Sequence, residues 1–205
     1  MKPGPSLTEA DAALIREKIR EKYSQVAAAS EGCCFRYPTG VAGLRRQGYP
    51  EDLLEDFPPA LLDSFCGVGN PFSLGPINPG EKVLDIGCGT GLDVAVAARL
   101  TGPRGWVAGL DPTLAMIKKA GAYLSSQGSQ NVGLLVGEAE HLPYAAGSFE
   151  VIISNGVFNL TLNKARALQE AHRVLKPGGR FLIADMVLME ALPPELASRV
   201  DNWHQ

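Results

Sequence analysis

The chain has 205 residues, 45% of them apolar and 20% charged, with a formal net charge of −3. That is enough for one domain with a sizeable core, and no basic block is dense enough to expect a nucleic-acid partner. No apolar run approaches the roughly 20 residues of a membrane span, and residues 1–9 lack the apolar core of a signal peptide, so the expected compartment is cytoplasmic, where thiols stay reduced.

Residues 8–26 have the pattern of a helix. Thr8 stands at the cap position with Asp11 three residues on, a variant of the capping box. Leu14, Ile15, Ile19, Tyr23 and Val26 fall near one face. Such a helix docks on the main domain, covers a ligand site as a lid, or does both. Residues 27–80 show little regular periodicity. Connections this long are functional or disordered, and the aromatic residues and cysteines here favour an ordered cap with short helical turns. The four cysteines, Cys33, Cys34, Cys66 and Cys88, form no C-x-x-C pair and no finger-like spacing with His141, His172 or His204, so no metal site is expected.

From Lys82 onward the pattern is regular. It predicts strands at 82–86, 106–110, 132–136, 151–154 and 180–187, and helices at 92–100, 113–126 and 163–175. Strands alternating with helices imply right-handed crossovers and a parallel sheet. The strand ends then collect Asp85, Asp111, Glu138 and Asn155 at one edge.

The first of these strands runs into Gly87-Cys88-Gly89-Thr90-Gly91 and then a helix start. Such a turn at the carboxyl end of a parallel strand is where open α/β sheets bind nucleotide-like ligands. The third glycine comes one position earlier than in the dinucleotide fingerprint. Asp111 ends the next apolar run about 20 residues on, where ribose-binding acids sit. A ligand with a ribose, a cationic amino group and no pyrophosphate suits this spacing better than NAD. S-adenosyl-L-methionine is such a ligand.

Three further motifs follow: Gly137-Glu138-Ala139-Glu140-His141-Leu142-Pro143, Phe149-Glu150-Val151-Ile152-Ile153-Ser154-Asn155, and Arg173-Val174-Leu175-Lys176-Pro177-Gly178-Gly179. With the glycine turn, their set and order resemble the class I S-adenosylmethionine-dependent methyltransferases. The resemblance implies a Rossmann-like, doubly wound, mainly parallel sheet. It suggests an N-terminal helix and cap over 1–80, a cofactor-binding core over 81–189, and a helical tail over 190–205 in place of that fold's last strands. A sheet edge left open in this way would be covered by the cap or by a second copy in a homodimer. A narrower resemblance, carried by the N-terminal helix, Cys33-Cys34, Gly69-Asn70-Pro71 and the segment from Ile153 to Leu160, is to the arsenite methyltransferases. That family holds trivalent arsenic with cysteine thiolates. Two of its cysteine positions align here with Val68 and Gly156, and a further one lies beyond the segment 201–205.

The resemblance assigns cofactor contacts to Asp85, Gly87, Cys88, Gly89, Gly91, Asp111, Pro112, Thr113, Met116, Glu138, Ala139 and Asn155. Asp85 either meets the methionine ammonium or holds loop N–H groups. Asp111 either accepts from the ribose hydroxyls or caps the helix at Thr113. Glu138 and Ala139 should meet the adenine edge, and Met116 either packs on the nucleoside or belongs to the core. The candidate acceptor-site residues are Cys33, Cys34, Cys66, Asn155 and Gly156. Attack on a sulfonium methyl by an arsenic lone pair needs alignment and exclusion of water but no general base, in keeping with the lack of an Asp–His pair. The expected substrate is a small molecule. The two readings from different classes are an active methyltransferase and a cofactor-binding protein with lost or partner-dependent activity.

Overall fold

The computed structural model describes residues 8–28 and 35–187. Cys33, Cys34 and the tail at 190–205 lie outside the described residues.

Helix α1, Glu9–Ala28, begins where the sequence places a cap. Asp11 Oδ2 accepts from the Thr8 amide at 3.0 Å, and Thr8 Oγ1 accepts from the Asp11 amide at 3.1 Å, so two amides left open by the helix start are satisfied reciprocally. The segment that follows contains short helices, as expected: α2 (Gly40–Arg46), α3 (Glu51–Leu54), α4 (Pro59–Asp63) and a 3-10 turn (Pro71–Leu74). Proline stands in the first turn of α4 and of the 3-10 turn, where its missing N–H costs nothing. Asn70 caps the 3-10 turn by accepting from the Phe72 amide at 3.0 Å, and it donates to Gly48 O at 3.0 Å.

The core alternates strand and helix: β1 (Lys82–Ile86), α5 (Leu92–Thr101), β2 (Trp106–Asp111), α6 (Leu114–Ser126), β3 (Val132–Val136), β4 (Phe149–Asn155), α7 (Lys164–Val174) and β5 (Leu175–Ala184). The five strands form one sheet in the order β3-β2-β1-β4-β5, with every pairing parallel. The chain therefore reverses its direction of winding between β1 and β4, the point at which such sheets open a crevice beyond the strand ends.

Alternation along the strands builds two cores. Val83, Val107, Val151 and Ile153 face one layer, with Val94 and Ala97 of α5, Leu124 of α6, and Leu44, Leu61 and Phe65 of the cap. Leu84, Ile86, Leu110 and Ile152 face the other, with Ala167, Ala171 and Val174 of α7. The cap is thus part of the hydrophobic core.

The fifth strand departs from expectation. It pairs with β4 only at Leu175 and again from Arg180 to Ala184, and residues 176–179 bulge out of register between Phe149 and Val151. Asp185 to Val187, expected to extend the strand, lie outside it. Asp185 turns aside to accept from the Phe158 amide at 2.6 Å and the Asn159 amide at 3.2 Å. Among the described residues, no helix is long and apolar enough to cross a membrane.

Candidate functional site

An open-mouthed cleft lies beyond the carboxyl ends of the strands. The sheet supplies its floor through Gly87 and Gly89 of the glycine turn, Asp111-Pro112-Thr113 after β2, Glu138-Ala139-Glu140 after β3, and Asn155, Gly156 and Val157 after β4. The roof is one face of α1, with Arg16, Ile19, Arg20 and Tyr23 at i, i+3, i+4 and i+7. Cys66 reaches the cleft from the cap.

The glycine turn is shaped by its neighbours. Gly87 has φ +76°, and a Cβ there would lie 2.1 Å from Val157 Cγ2. Gly89 has φ +51° and nothing within 4 Å of where a Cβ would project. Asp111 holds the turn in place. Its Oδ2 accepts from the Gly89 amide at 3.0 Å and its Oδ1 from the Thr113 amide at 2.8 Å. The turn-holding and helix-capping roles thus fall together on Asp111, with further lone pairs left on each carboxylate oxygen.

Asp85 does not brace the loop through Oδ2. That atom is buried and has no hydrogen-bond partner among the described residues. Burial first, then the charges of Asp93 and Asp111, push its carboxyl well above the usual carboxylate range. Asp93 is pushed up to about 6 by burial, against the hydrogen bonds from Tyr49 and Asn155. Asp111 is also raised by burial, against the amides of Thr113 and Gly89. Of the three acids Asp111 lines the cleft, whereas Asp85 and Asp93 are not among its lining residues; a cationic ligand carrying N–H groups would favour the ionised form of such buried carboxyls.

The other candidates take varied places. Gly91 is the left-handed N-cap of α5, and a Cβ there would meet Ala120 Cβ at 2.9 Å. The buried Cys88 thiol packs on β2 near Gly109, and burial raises its pKa well above the ordinary value. Met116 is fully buried against Val26 and Ala27 of α1 and is not among the residues lining the cleft. Glu138 lines the cleft and faces Arg16, with Nε 3.4 Å from Oε2. The Cys66 thiol is pushed up to about 12, chiefly by burial and then by the charges of Asp111 and Asp93, so it is protonated at neutral pH. His141 and His172 are exposed and do not line the cleft.

Several participants were not evident from the sequence. Arg16 and Arg20 belong to no sequence motif that marks a site, and both line the cleft. Glu140 accepts from the Leu162 amide at 3.1 Å and so secures the loop after β4. Tyr49 and Asp93 meet at 2.7 Å although 44 residues separate them, and nothing local signals that contact.

Residues 77–205 match the methyltransferase domain family. An arsenite methyltransferase of Halobacterium salinarum is 36% identical over 91% of this chain and 51% of its own length. The arsenite methyltransferase of Mus musculus is 36% identical over 60% of this chain and 35% of its own. The chain spans about half, or less, of the length of these relatives. Among solved structures, an arsenic(III) S-adenosylmethionine methyltransferase from Chlamydomonas reinhardtii superposes with a TM-score of 0.61 at 34% identity, over 79% of this chain and 54% of that one. A methyltransferase from Aquifex aeolicus shares the fold at 21% identity with a TM-score of 0.58, over 84% of this chain and 79% of that one.

Proposed function

The chain belongs to the methyltransferase domain family, and on that premise we propose that it binds S-adenosyl-L-methionine in the cleft and directs methyl transfer to a small, soft nucleophile of the arsenite type. The observation that carries this reading is Asp111 in the cleft wall, bracing an open glycine turn through Gly89, with the buried Asp85 behind that turn and its Oδ2 unpartnered among the described residues. In it, Asp85 receives the ammonium group. Asp111 accepts from the ribose hydroxyls through the lone pairs that Gly89 and Thr113 leave free. Glu138 and Ala139 border the adenine, and Ile19, Arg20 and Tyr23 of α1 close over the nucleoside and exclude water. The cofactor supplies a methyl group already activated on a sulfonium, so the protein has only to align it.

The acceptor side departs from the arsenic-binding pattern. Val68 and Gly156 stand where the resemblance assigns thiolates, and a Cβ on Gly156 would lie 3.3 Å from Val68 Cγ1. The two positions adjoin, but neither residue can ligate arsenic. Cys66, lining the cleft two residues before Val68, is the described thiol that remains for a soft acceptor. We therefore expect slow arsenite methylation by this chain alone. The same reading places the protein in the cytoplasm, in keeping with free thiols at Cys66 and Cys88, and admits a homodimer.

Calorimetry tests the proposal. S-adenosylmethionine or its demethylated product is expected to bind in the micromolar range, about −8 kcal/mol. Asp111→Ala removes a charged acceptor, worth about 1.5–3 kcal/mol, and should weaken binding roughly tenfold to a hundredfold. Tight NAD binding with no response to S-adenosylmethionine would overturn the reading.

A further inference from the structure

Asn155 ends β4 and lines the cleft, and its side-chain amide is engaged by groups of the chain itself. Its Oδ1 accepts from the Val68 amide at 2.8 Å and the Gly69 amide at 3.0 Å. Its Nδ2 lies 2.9 Å from Gly69 O, 3.1 Å from Asp93 Oδ2 and 3.2 Å from the Tyr49 hydroxyl, and donates to them. Both Oδ1 lone pairs are thereby spent, and the two Nδ2 hydrogens are shared among three acceptors. The Tyr49 hydroxyl donates to Asp93 Oδ1 at 2.7 Å, so the Asp93 carboxylate accepts on both oxygens, from the cap on one side and from Asn155 on the other.

The loop fits this bracket closely. A Cβ on Gly67 would lie 2.3 Å from Asn155 Nδ2, and one on Gly69 would lie 2.6 Å from Ala184 Cβ. Only hydrogen at these positions lets the loop lie flat against the ends of β4 and β5. Tyr49 is anchored in turn by edge-on contact with the Phe65 ring, whose centroid is 5.3 Å away. Phe65 immediately precedes Cys66, and the Tyr37 hydroxyl donates to Cys66 O at 3.0 Å.

We propose that Tyr49 and Asp93 are positioning residues that act through Asn155 to hold the 66–69 loop against the cleft, and with it the Cys66 thiol beside the acceptor side of the site. The importance of that placement for methyl transfer rests on the function proposed above; the bracket itself does not. A carboxylate is required at position 93 because it must accept from two donors. An amide there can accept from one and would set its own N–H₂ against the other.

The test uses the full chain without ligand. N-ethylmaleimide alkylation is followed peptide by peptide by mass spectrometry, well below the melting temperature. Cys66 reports on the loop, and Cys88, buried on the glycine turn, reports on general opening of the fold. Releasing the loop moves the Cys66 thiol toward water and lowers its pKa, so more reactive thiolate is present. Tyr49→Phe should accelerate Cys66 alkylation about tenfold by local opening and leave Cys88 unchanged. Asp93→Asn should do the same, and it gives an independent reading should Tyr49→Phe fold poorly. Cys66 rates within about twofold of the parent in both variants, or Cys66 and Cys88 accelerating together, would overturn the proposal. Calorimetry on the parent separates the two claims. A parent that binds no S-adenosylmethionine refutes the proposed function, whereas the alkylation rates still decide the bracket.

Discussion

Gly87 and Gly89 are two residues apart in one turn and both have positive φ, but their surroundings set different costs for substitution. Gly87→Ala would place a methyl 2.1 Å from Val157 Cγ2 in addition to its backbone strain. Gly89→Ala carries the strain alone, about 1–2 kcal/mol, because its Cβ would point into open space. Gly87→Ala is therefore expected to lose well over 2 kcal/mol of stability. The double variant Gly87→Ala/Val157→Ala should recover part of this, since the clash is relieved but the φ penalty stays. Gly89→Ala should fold and yet weaken S-adenosylmethionine, because its methyl occupies ligand space. Urea denaturation with calorimetry checks both, and a Gly89→Ala protein with parental affinity would show that the ligand does not approach this backbone.

At the scale of elements, α1 is both packing and roof. It packs on α6 through Val26 and Ala27 against Met116, and Lys119 Nζ donates to Ala27 O at 2.9 Å. The same helix sends Arg16, Ile19, Arg20 and Tyr23 into the cleft. The Arg16–Glu138 pair, about one-third exposed on each side, is worth little to the fold, roughly 0–1 kcal/mol. It does tie the roof to the residue expected at the adenine edge. Arg16→Ala should leave the ligand-free melting temperature nearly unchanged and weaken S-adenosylmethionine about threefold to tenfold, or ~0.6–1.4 kcal/mol, chiefly through faster dissociation. Stopped-flow measurement decides this, and unchanged dissociation would assign α1 a packing role alone.

The whole molecule holds acids of two kinds. Glu170 is held at about 2, first by its hydrogen bonds with Arg173, and Glu81 and Glu150 are also lowered. These groups stabilise the folded chain above their ordinary range, and that contribution is complete by about pH 5. Asp93, raised from 3.8 to about 6, has the opposite sign. It binds more protons folded than unfolded, so its contribution favours the folded chain at acid pH and is lost as pH rises through about 4 to 6. Asp85 and Asp111 are shifted in the same direction. Once the lowered acids have made their full contribution, near pH 5, the ligand-free chain should therefore lose stability as pH rises to about 6. A cationic ligand favours the ionised carboxylates, so the thermal stabilisation by S-adenosylmethionine should grow over that interval. The growth should be smaller for its demethylated product, which lacks the sulfonium charge. A pH-independent shift in scanning fluorimetry would mean that these acids do not meet the ligand's charge.

The strands β1 and β3 begin and end at the residues their periodicity predicts, and the Thr8–Asp11 cap stands where its spacing places it. The glycine turn and the line of acids at the strand ends were likewise legible. These features are local: apolar alternation, a side chain reaching an amide three residues on, and glycine where the backbone must turn left. What only the tertiary structure decided is long-range. Asp185 leaves the expected strand because two amides near 158 lie within its reach. Met116 turns to α1 because that helix offers it an apolar surface. Asn155 lines the cleft as expected, but its side-chain amide is committed to a loop 86 residues away in sequence, and Asp85 Oδ2 has no hydrogen-bond partner among the described residues. Local spacing specifies which backbone groups a residue can satisfy by itself. Whether a buried carboxylate is left open or a buried amide is already spent depends on which distant atoms the fold brings to it, and no short-range pattern contains that information.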